Sequence, residues 1–396
     1  MRKLLIIGAS VLQLPAIKKA KEMGFYVGVI DYDPNAIGIK FADEYFNVST
    51  IDIEGVTKTA KAFAPDGIVT LATDMPMRSI AAAAKECNLP AISMETAIKT
   101  TDKGEMIKAF EEHGVAHPWF YIVENEDTFE SIQEKLCFPC ILKPCDNSGS
   151  RGVVLCKSAD SLYSDYAYAK SCSRGGSVII EEYLEGNEVS VEVIAISGEP
   201  HIIQVTDKIT TGTPHFVEMG HSQPSRLDAA SIEEIKKLAA DAVKAVGIEN
   251  GPAHVEIMLT KNGPKMIELG ARLGGDCITT HLTPLSTGVD MVSAIIEIAC
   301  GITPDIESKV SLASAIRFIS AEKSGIINEI SGIEKARGVA GVTEVSLTKK
   351  VGEAAGDIKS SNDRLGFIIA QAQTPEKALS ICKDALGRIT VSIAKE

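Results

Sequence analysis

Apolar positions along this chain recur with two periods, and the change from one to the other divides it. In residues 1–97, short apolar runs at 3–7, 26–31 and 68–71 alternate with helical patterns, the first over about 12–23. Short, almost wholly apolar strands separated by amphipathic helices predict a parallel sheet covered on both faces. From Thr100 the character shifts. Residues 101–113 read as a helix capped by Thr101 or Asp102 and ended by Gly114, and 128–136 read as another. Strands are expected at 139–144, 153–154, 178–183 and 189–196, so that 118–186 forms a small α+β block the size of an inserted lid. Later, strands at 313–319, 342–347 and 366–373 and a helix over 375–386 predict an α+β cap. The fold class expected is therefore α/β and α+β: an N-terminal parallel α/β domain (1–97), a central domain with a lid at about 118–186 (98–305), and a C-terminal α+β domain (306–396).

Within the central domain, residues 254–272 place apolar residues on both sides of Lys261-Asn262-Gly263, which predicts a β-hairpin. A two-residue Asn-Gly loop would pair Glu256 with Leu269 and put Glu256 and Glu268 on opposite faces. A three-residue loop ending with Gly263 in the left-handed position pairs Glu256 directly with Glu268. One face then carries His254, Glu256, Met258, Met266, Glu268 and Gly270, with Arg272 just beyond; the other is core. Like charges directly opposed in a sheet are destabilising. Two such carboxylates make sense around a hard cation, and oxygen ligation with room for phosphates favours Mg²⁺ over Zn²⁺.

Composition narrows the partners. The net charge of −13 disfavours nucleic acid and anionic membranes, while leaving room for a local basic pocket. No run approaches the roughly 18 apolar residues of a membrane span, and the N-terminal apolar run is a first strand rather than a leader. Nine cysteines without a disulfide framework point to a cytoplasmic protein. Cys137-x-x-Cys140 runs into a buried strand and has no second pair to complete a zinc site, so these cysteines read as small hydrophobes.

Three further stretches carry candidate chemistry. The loop Asp146-Asn-Ser148-Gly149-Ser150-Arg151-Gly152 joins two apolar strands and offers backbone N–H groups to phosphates, although it lacks the Walker A spacing. Lys143, in the preceding apolar strand, should not be buried without an anion. In Glu181-Glu-Tyr183-Leu184-Glu-Gly-Asn-Glu188, an interdomain connector could meet an adenine edge while Glu188 reaches a ribose; otherwise this is an acidic hairpin tip. The first turn, Gly8-Ala9-Ser10, has one of the three dinucleotide-fingerprint glycines, so Asp31 and Asp33 do not suffice for NAD(P).

The order of these features resembles the ATP-grasp superfamily, which includes L-amino-acid ligases, phosphoribosylglycinamide synthetases and the carbamoyl-phosphate synthase large chain. The motifs are Lys103 at a helix start, Phe138-Pro-x-Ile-x-Lys143-Pro, the Ser/Gly loop, Glu181-Glu-Tyr183-Leu184-x-Gly-x-Glu188, Glu256, and Glu268-x-x-x-Arg272. The resemblance implies an N-terminal α/β domain, an ATP-grasp core with a lid, and a C-terminal cap. It implies that Lys103 and Lys143 contact ATP phosphates, and that the loop containing Ser148, Gly149, Ser150 and Gly152 closes over them. Glu181, Tyr183 and Leu184 would line the adenine pocket and Glu188 would bind ribose. Glu256 and Glu268 would hold Mg²⁺ (or Mn²⁺), and Arg272, with Lys143, would serve the reacting groups. Many members have Glu-x-Asn-x-Arg in the metal strand; here the Asn position is Gly270, opposite His254.

The implied activity is an ATP- and Mg²⁺-dependent carboxylate–amine ligase, which activates the acid as an acylphosphate and releases ADP and phosphate. Glu268 followed by Gly270-Ala-Arg-Leu-Gly-Gly-Asp resembles most the amino-acid ligase branch. The alternatives are a purine-pathway relative using a phosphoribosylated amine, formate or bicarbonate, a nicotinamide-dependent oxidoreductase, and a non-catalytic nucleotide-binding protein. Small-molecule acid and amine substrates are expected to meet Lys208, His221, Arg272 and His281, the first two on polar loops, and the resemblance allows a homodimer while leaving the oligomeric state open.

Overall fold

The apolar runs at the N-terminus do form a parallel sheet. In this computed structural model, which describes residues 1–394 apart from 148, 150 and 214, strands β1 (Lys3–Ile7), β2 (Tyr26–Asp31), β3 (Glu44–Asn47) and β4 (Gly67–Val69) lie in the order β3-β2-β1-β4. Leu4 to Ile7 are fully buried because helices cover both faces. The short edge strand β3 has no apolar alternation and escaped the periodicity reading.

The first turn is closed from within. Asp31 accepts a hydrogen bond from the Ala9 N–H (2.7 Å) and another from the Asp33 N–H (2.9 Å). Gln13 accepts from the Ser10 N–H (3.2 Å) and donates to the Leu71 carbonyl (2.7 Å). The donors that a dinucleotide-binding turn turns toward a pyrophosphate are here engaged by side chains of the same domain.

The lid is a four-stranded antiparallel sheet of β5 (Phe120–Val123), β6 (Cys140–Pro144), β7 (Val154–Cys156) and β8 (Val178–Glu182), ordered β5-β8-β6-β7. Its helices Glu126–Ile132 and Leu162–Cys172 share a core in which Phe129 and Tyr166 stack at 3.9 Å. The chain then enters the central sheet through β9 (Asn187–Ile196), which does not pair with β8. Residues 183–186 are therefore a connector between two sheets, and the hairpin-tip reading of 181–188 is corrected. Gly186 passes so close to the neighbouring strand that a Cβ there would lie 2.0 Å from the Leu259 carbonyl oxygen.

The central sheet is antiparallel throughout and eight strands wide. After β9 come β10 (Glu199–Thr210), β11 (Glu218–Gln223), β12 (Gly251–Thr260), β13 (Gly263–Gly270) and β14 (Ala313–Ile319). The remaining strands are β15 (Gly325–Ser331), β16 (Val342–Leu347), β17 (Ala354–Ala355), β18 (Gly366–Ala372) and β19 (Thr390–Ala394). The order β13-β12-β9-β10-β11-β14-β18-β16 runs across residue 306, so C-terminal strands extend the central sheet while β17-β15-β19 form a small separate one. Among the described residues no single helix is long and apolar enough to cross a membrane.

One face of this sheet is plain core: Val189, Val191, Val193, Val255 and Ile257 pack with the helix Ala229–Val246. The opposite face is polar. Register places Glu192 beside His254, Ser190 beside Glu256 and Thr206, and Lys208 beside His221. Residues 206–208 and 218–223, expected as polar loops, are strands. Alternation of polar residues with apolar ones hides a strand when the polar side is itself covered, because neither face then looks like solvent.

Candidate active site

The hairpin of β12 and β13 organises the site, by a route other than the expected one. Thr260 pairs with Gly263, so the loop has two residues, Lys261 and Asn262, and Ile257 pairs with Met266. A bulge at Ile267 then shifts the register by one, and Glu256 faces Glu268 and His254 faces Gly270. Bulges re-aim side chains beside functional sites. Here the extra residue, Ile267, lines a cleft together with Met106, Phe110, Met266, Lys103, Lys143 and Glu181.

Each cationic side chain of the site has an internal carboxylate. Lys103 begins the helix Lys103–Glu112, whose N-cap Asp102 accepts from the Gly104 and Glu105 N–H groups. Its ammonium lies 3.1 Å from Glu268 and donates to the Asn147 carbonyl in the 146–152 loop (2.7 Å). Burial opposes the Lys103 charge, but Glu268 outweighs it and the pKa is raised. Lys143 is buried, and the anion its burial required is Glu181 on the neighbouring strand, at 2.6 Å. Lys208, with a side chain 3% exposed, is caged by Glu188, Glu256 (2.9 Å) and Glu218 (3.8 Å). Burial works against its charge, yet the three carboxylates hold its pKa well above the ordinary value. In return, although burial pushes both carboxylates up, Lys208 and His254 hold Glu256 well below the usual range, and Lys103 holds Glu268 below it. Both glutamates are thus anionic at neutral pH.

Two groups were not expected. Glu192, fully buried, accepts from His254 Nδ1 (2.8 Å), while His254 Nε2 faces Glu256 at 3.4 Å. Burial disfavours the imidazolium, but Glu192 raises its pKa to about 9. His254 is therefore a charged link between a buried glutamate and Glu256, not a core histidine. The second group is Asp276, which receives two hydrogen bonds from Arg364 (2.8 Å each) and faces His221 Nε2 at 3.3 Å. Arg364 lies over the Phe318 ring at 3.7 Å. The C-terminal segment thus sends a guanidinium into the site. Asp276 and Cys277 both have left-handed backbone (φ +51° and +62°) and lead into a π-helical turn, Ile278–Leu282. Such strain persists only where surrounding contacts impose it.

The Asp276 pair gives a stability prediction. Burial raises the pKa of this carboxyl, but His221 and Arg364 together depress it below the ordinary value. A depressed carboxyl adds stability that is present above about pH 4 and lost as pH falls through the folded value. Asp276→Asn should cost about 3 kcal/mol at pH 7 by leaving Arg364 unpaired. In thermal melts, the gap to wild type should hold from pH 7 to pH 5 and narrow in stronger acid; a gap independent of pH would refute this.

The other expected site residues fall as follows. Glu188 lies on β9 against Lys208, and Tyr183 and Leu184 are half-buried in the connector, outside the cleft that Glu181 lines. Gly149 and Gly152 lie between β6 and β7 with left-handed backbone; Ser148 and Ser150 lie outside the described residues. Arg272 is bound to Asp74 of the N-terminal domain at 3.0 Å. His281 points to Glu344 of β16 (3.3 Å), and among the described residues no hydrogen bond or ion pair joins it to Lys208, His221 or Arg272. Among those residues no three His, Cys, Asp or Glu side chains converge as a ready-made metal cage. Two opposed carboxylates nevertheless suit Mg²⁺, which takes one or two carboxylates and completes its shell with phosphate oxygens and water.

Two family signatures match this chain: ATP-grasp domain over residues 136–280 and L-amino acid ligase C-terminal domain 2 over residues 317–394. Alanine–anticapsin ligase of Bacillus subtilis (strain 168) is 26% identical over 318 residues, which are 74% of this chain and 66% of that protein, just under two thirds of its length. Phosphoribosylglycinamide synthetase from Anaerococcus prevotii has a TM-score of 0.81 at 26% identity, covering 99% of this chain and 100% of that one. L-Amino acid ligase from Bacillus licheniformis has a TM-score of 0.87 at 22% identity, covering 100% and 99%, a likeness of fold.

Proposed function

This chain is an ATP-grasp protein ending in an L-amino acid ligase C-terminal domain 2, and on that footing we propose that it joins a carboxylate to an amine, on amino-acid-like substrates, at the expense of ATP. The observation that carries this reading is the pair Glu256–Glu268, opposed on one sheet face and ringed by Lys103, Lys208 and Arg272 beside a cleft with apolar walls.

Joining an acid to an amine in water is uphill, so the acid must first be activated. A carboxylate oxygen attacks the γ-phosphorus, ADP leaves, and the amine then displaces phosphate from the acylphosphate. Phosphoryl transfer of this kind depends on positioning and charge neutralisation. Mg²⁺ held by Glu256 and Glu268 supplies charge neutralisation at the phosphates. Lys103 and Lys143 stand at the cleft mouth to meet phosphate oxygens, and the 146–152 loop adds backbone donors. Met106, Phe110, Met266 and Ile267 would offer the adenine ring apolar walls, with Glu181 at its polar edge. Glu188 is placed for a ribose hydroxyl. Arg272 serves the reacting phosphate or carboxylate, and Lys208, His221 and Asp276 border the acceptor side.

Phosphate release from ATP should be measured across a grid of amino acids, small carboxylates and phosphoribosylamine. Release that requires two amino-acid-like partners and Mg²⁺ is the expected result. Release only with the phosphoribosylated amine would favour the purine-pathway reading, supported by the likeness to the Anaerococcus enzyme. Nucleotide binding without release in any cell of the grid would overturn catalysis.

A further inference from the structure

Strand β13 carries Glu268, then Gly270, and leads to Arg272. Glycine at 270 leaves an opening on the polar face, and the N-terminal domain fills it. A Cβ built on Gly270 would lie 2.6 Å from Asp74 Oδ1 and 3.1 Å from both Cζ and Nε of Arg272. Asp74 stands just beyond β4, and its two oxygens accept from Arg272 Nε (3.0 Å) and Nη2 (3.2 Å). The two-pronged geometry fixes the plane of the guanidinium as well as its place. Both side chains are largely shielded, at 12% and 17% exposure. A side chain at 270 would have to displace one or the other.

We propose that Asp74 is a positioning residue for Arg272, holding its guanidinium off the Glu256–Glu268 pair, and that glycine at 270 is the space this arrangement requires. The inference rests on the ligase reading above. Arg272 is a long cation on the same side of the sheet as two anionic glutamates, and it feels both. Burial opposes its charge, while Asp74 first, then Glu256 and Glu268, favour it. Without a competing anion, the guanidinium would settle against the glutamates and occupy the seat a divalent cation needs. Asp74 supplies that anion from a residue 198 positions away. The N-terminal domain thereby sets the geometry of a group in the core. Gly270, where many family members carry asparagine, and Asp74 form a complementary pair: a small residue on one side admits a carboxylate from the other.

The test uses the full chain with Asp74→Asn, Gly270→Asn, and the double variant Asp74→Gly/Gly270→Asn. Affinity for Mn²⁺ in the presence of ADP is read by electron paramagnetic resonance, and ADP formation is read with the substrate pair found in the grid. Asp74→Asn and Gly270→Asn should each weaken Mn²⁺ binding about tenfold and lower kcat about a hundredfold, with KM for ATP changed far less. The double variant should lose no more than about what Gly270→Asn alone loses, because both substitutions break one and the same pair. Wild-type Mn²⁺ affinity and turnover in Asp74→Asn, or losses that multiply in the double variant, would overturn the role of Asp74. A wild-type protein that binds no Mn²⁺·ADP and forms no ADP would instead overturn the ligase reading itself.

Discussion

Glu268→Gln should lower ATP-dependent product formation by at least about a thousandfold, while leaving weakened but measurable ADP binding. The substitution keeps the shape and one oxygen and removes the charge. Two losses then coincide. The seat for Mg²⁺ falls from two anionic carboxylates to one, and Lys103 loses the carboxylate that holds its raised pKa against burial. Lys103 still has the Asn147 carbonyl, so the helix start should stay tied to Asn147. Glu182→Gln is a suitable control, since Glu182 pairs with Lys265 at 2.7 Å on a more exposed pair. Such pairs contribute little, and turnover should stay within about twofold of wild type. Equal losses in both variants would mean that Glu268 acts through general stability, and the metal-seat assignment would fail.

How much of this site was legible in the sequence depended on the range of the signal. The opposition of Glu256 and Glu268 follows from one short hairpin, and it came out right although the loop did not. The expected three-residue turn is a two-residue turn, and the bulge at Ile267 restores the same pairing. Both devices insert one residue on the same strand, and periodicity alone cannot say where. Lys143 was legible because a buried lysine requires an anion; that the anion is Glu181 depends on which strands become neighbours in the lid. Glu192, Asp276 and Arg364 were missed for the same reason. Each acts across a long sequence separation on a partner in another element, and nothing in its local pattern marks it. For Arg364 the only local hint is a charged pair, Asp363-Arg364, just before an apolar strand. The parallel N-terminal sheet, by contrast, was legible throughout except for its edge strand, because burial on both faces writes itself into continuous apolar runs.

The site is also self-neutralised to an unusual degree. Lys103 with Glu268, Lys143 with Glu181, Lys208 with Glu188 and Glu256, and Arg272 with Asp74 all pair internally. A ligand that brings phosphates must therefore exchange partners rather than fill empty positions. A divalent cation taking Glu256 and Glu268 would release Lys208 and Lys103 from part of their attraction and free them for anionic oxygens. Metal and phosphate recognition are coupled through these shared glutamates, and Lys208 is where that coupling can be measured most directly.

Lys208→Met should make the stability of the protein strongly dependent on divalent cations. In the wild type, one ammonium with 3% exposure compensates three carboxylates, Glu188, Glu218 and Glu256. Methionine keeps the apolar stem and removes the charge, leaving those carboxylates facing one another in a shielded place. Removing one partner of a buried ion pair costs on the order of 3–5 kcal/mol, because the remaining charge is uncompensated. Part of that strain is relieved by proton uptake, since burial already raises the pKa of Glu218, which Lys208 counteracts. Another part should be relieved by Mg²⁺, which can replace the missing cation at Glu256 and stabilises by mass action whatever it binds. Thermal melts at pH 7.5 should therefore show Lys208→Met well below wild type in chelator, with the gap closing by at least half in about 10 mM Mg²⁺. Wild type should respond to Mg²⁺ far less, because its glutamates already hold a cation. Restored stability would not restore activity, since the cation that met the acceptor side is gone. A Mg²⁺ response equal to that of wild type would show that Lys208 and the metal do not compete for Glu256, and the exchange of partners described here would be wrong.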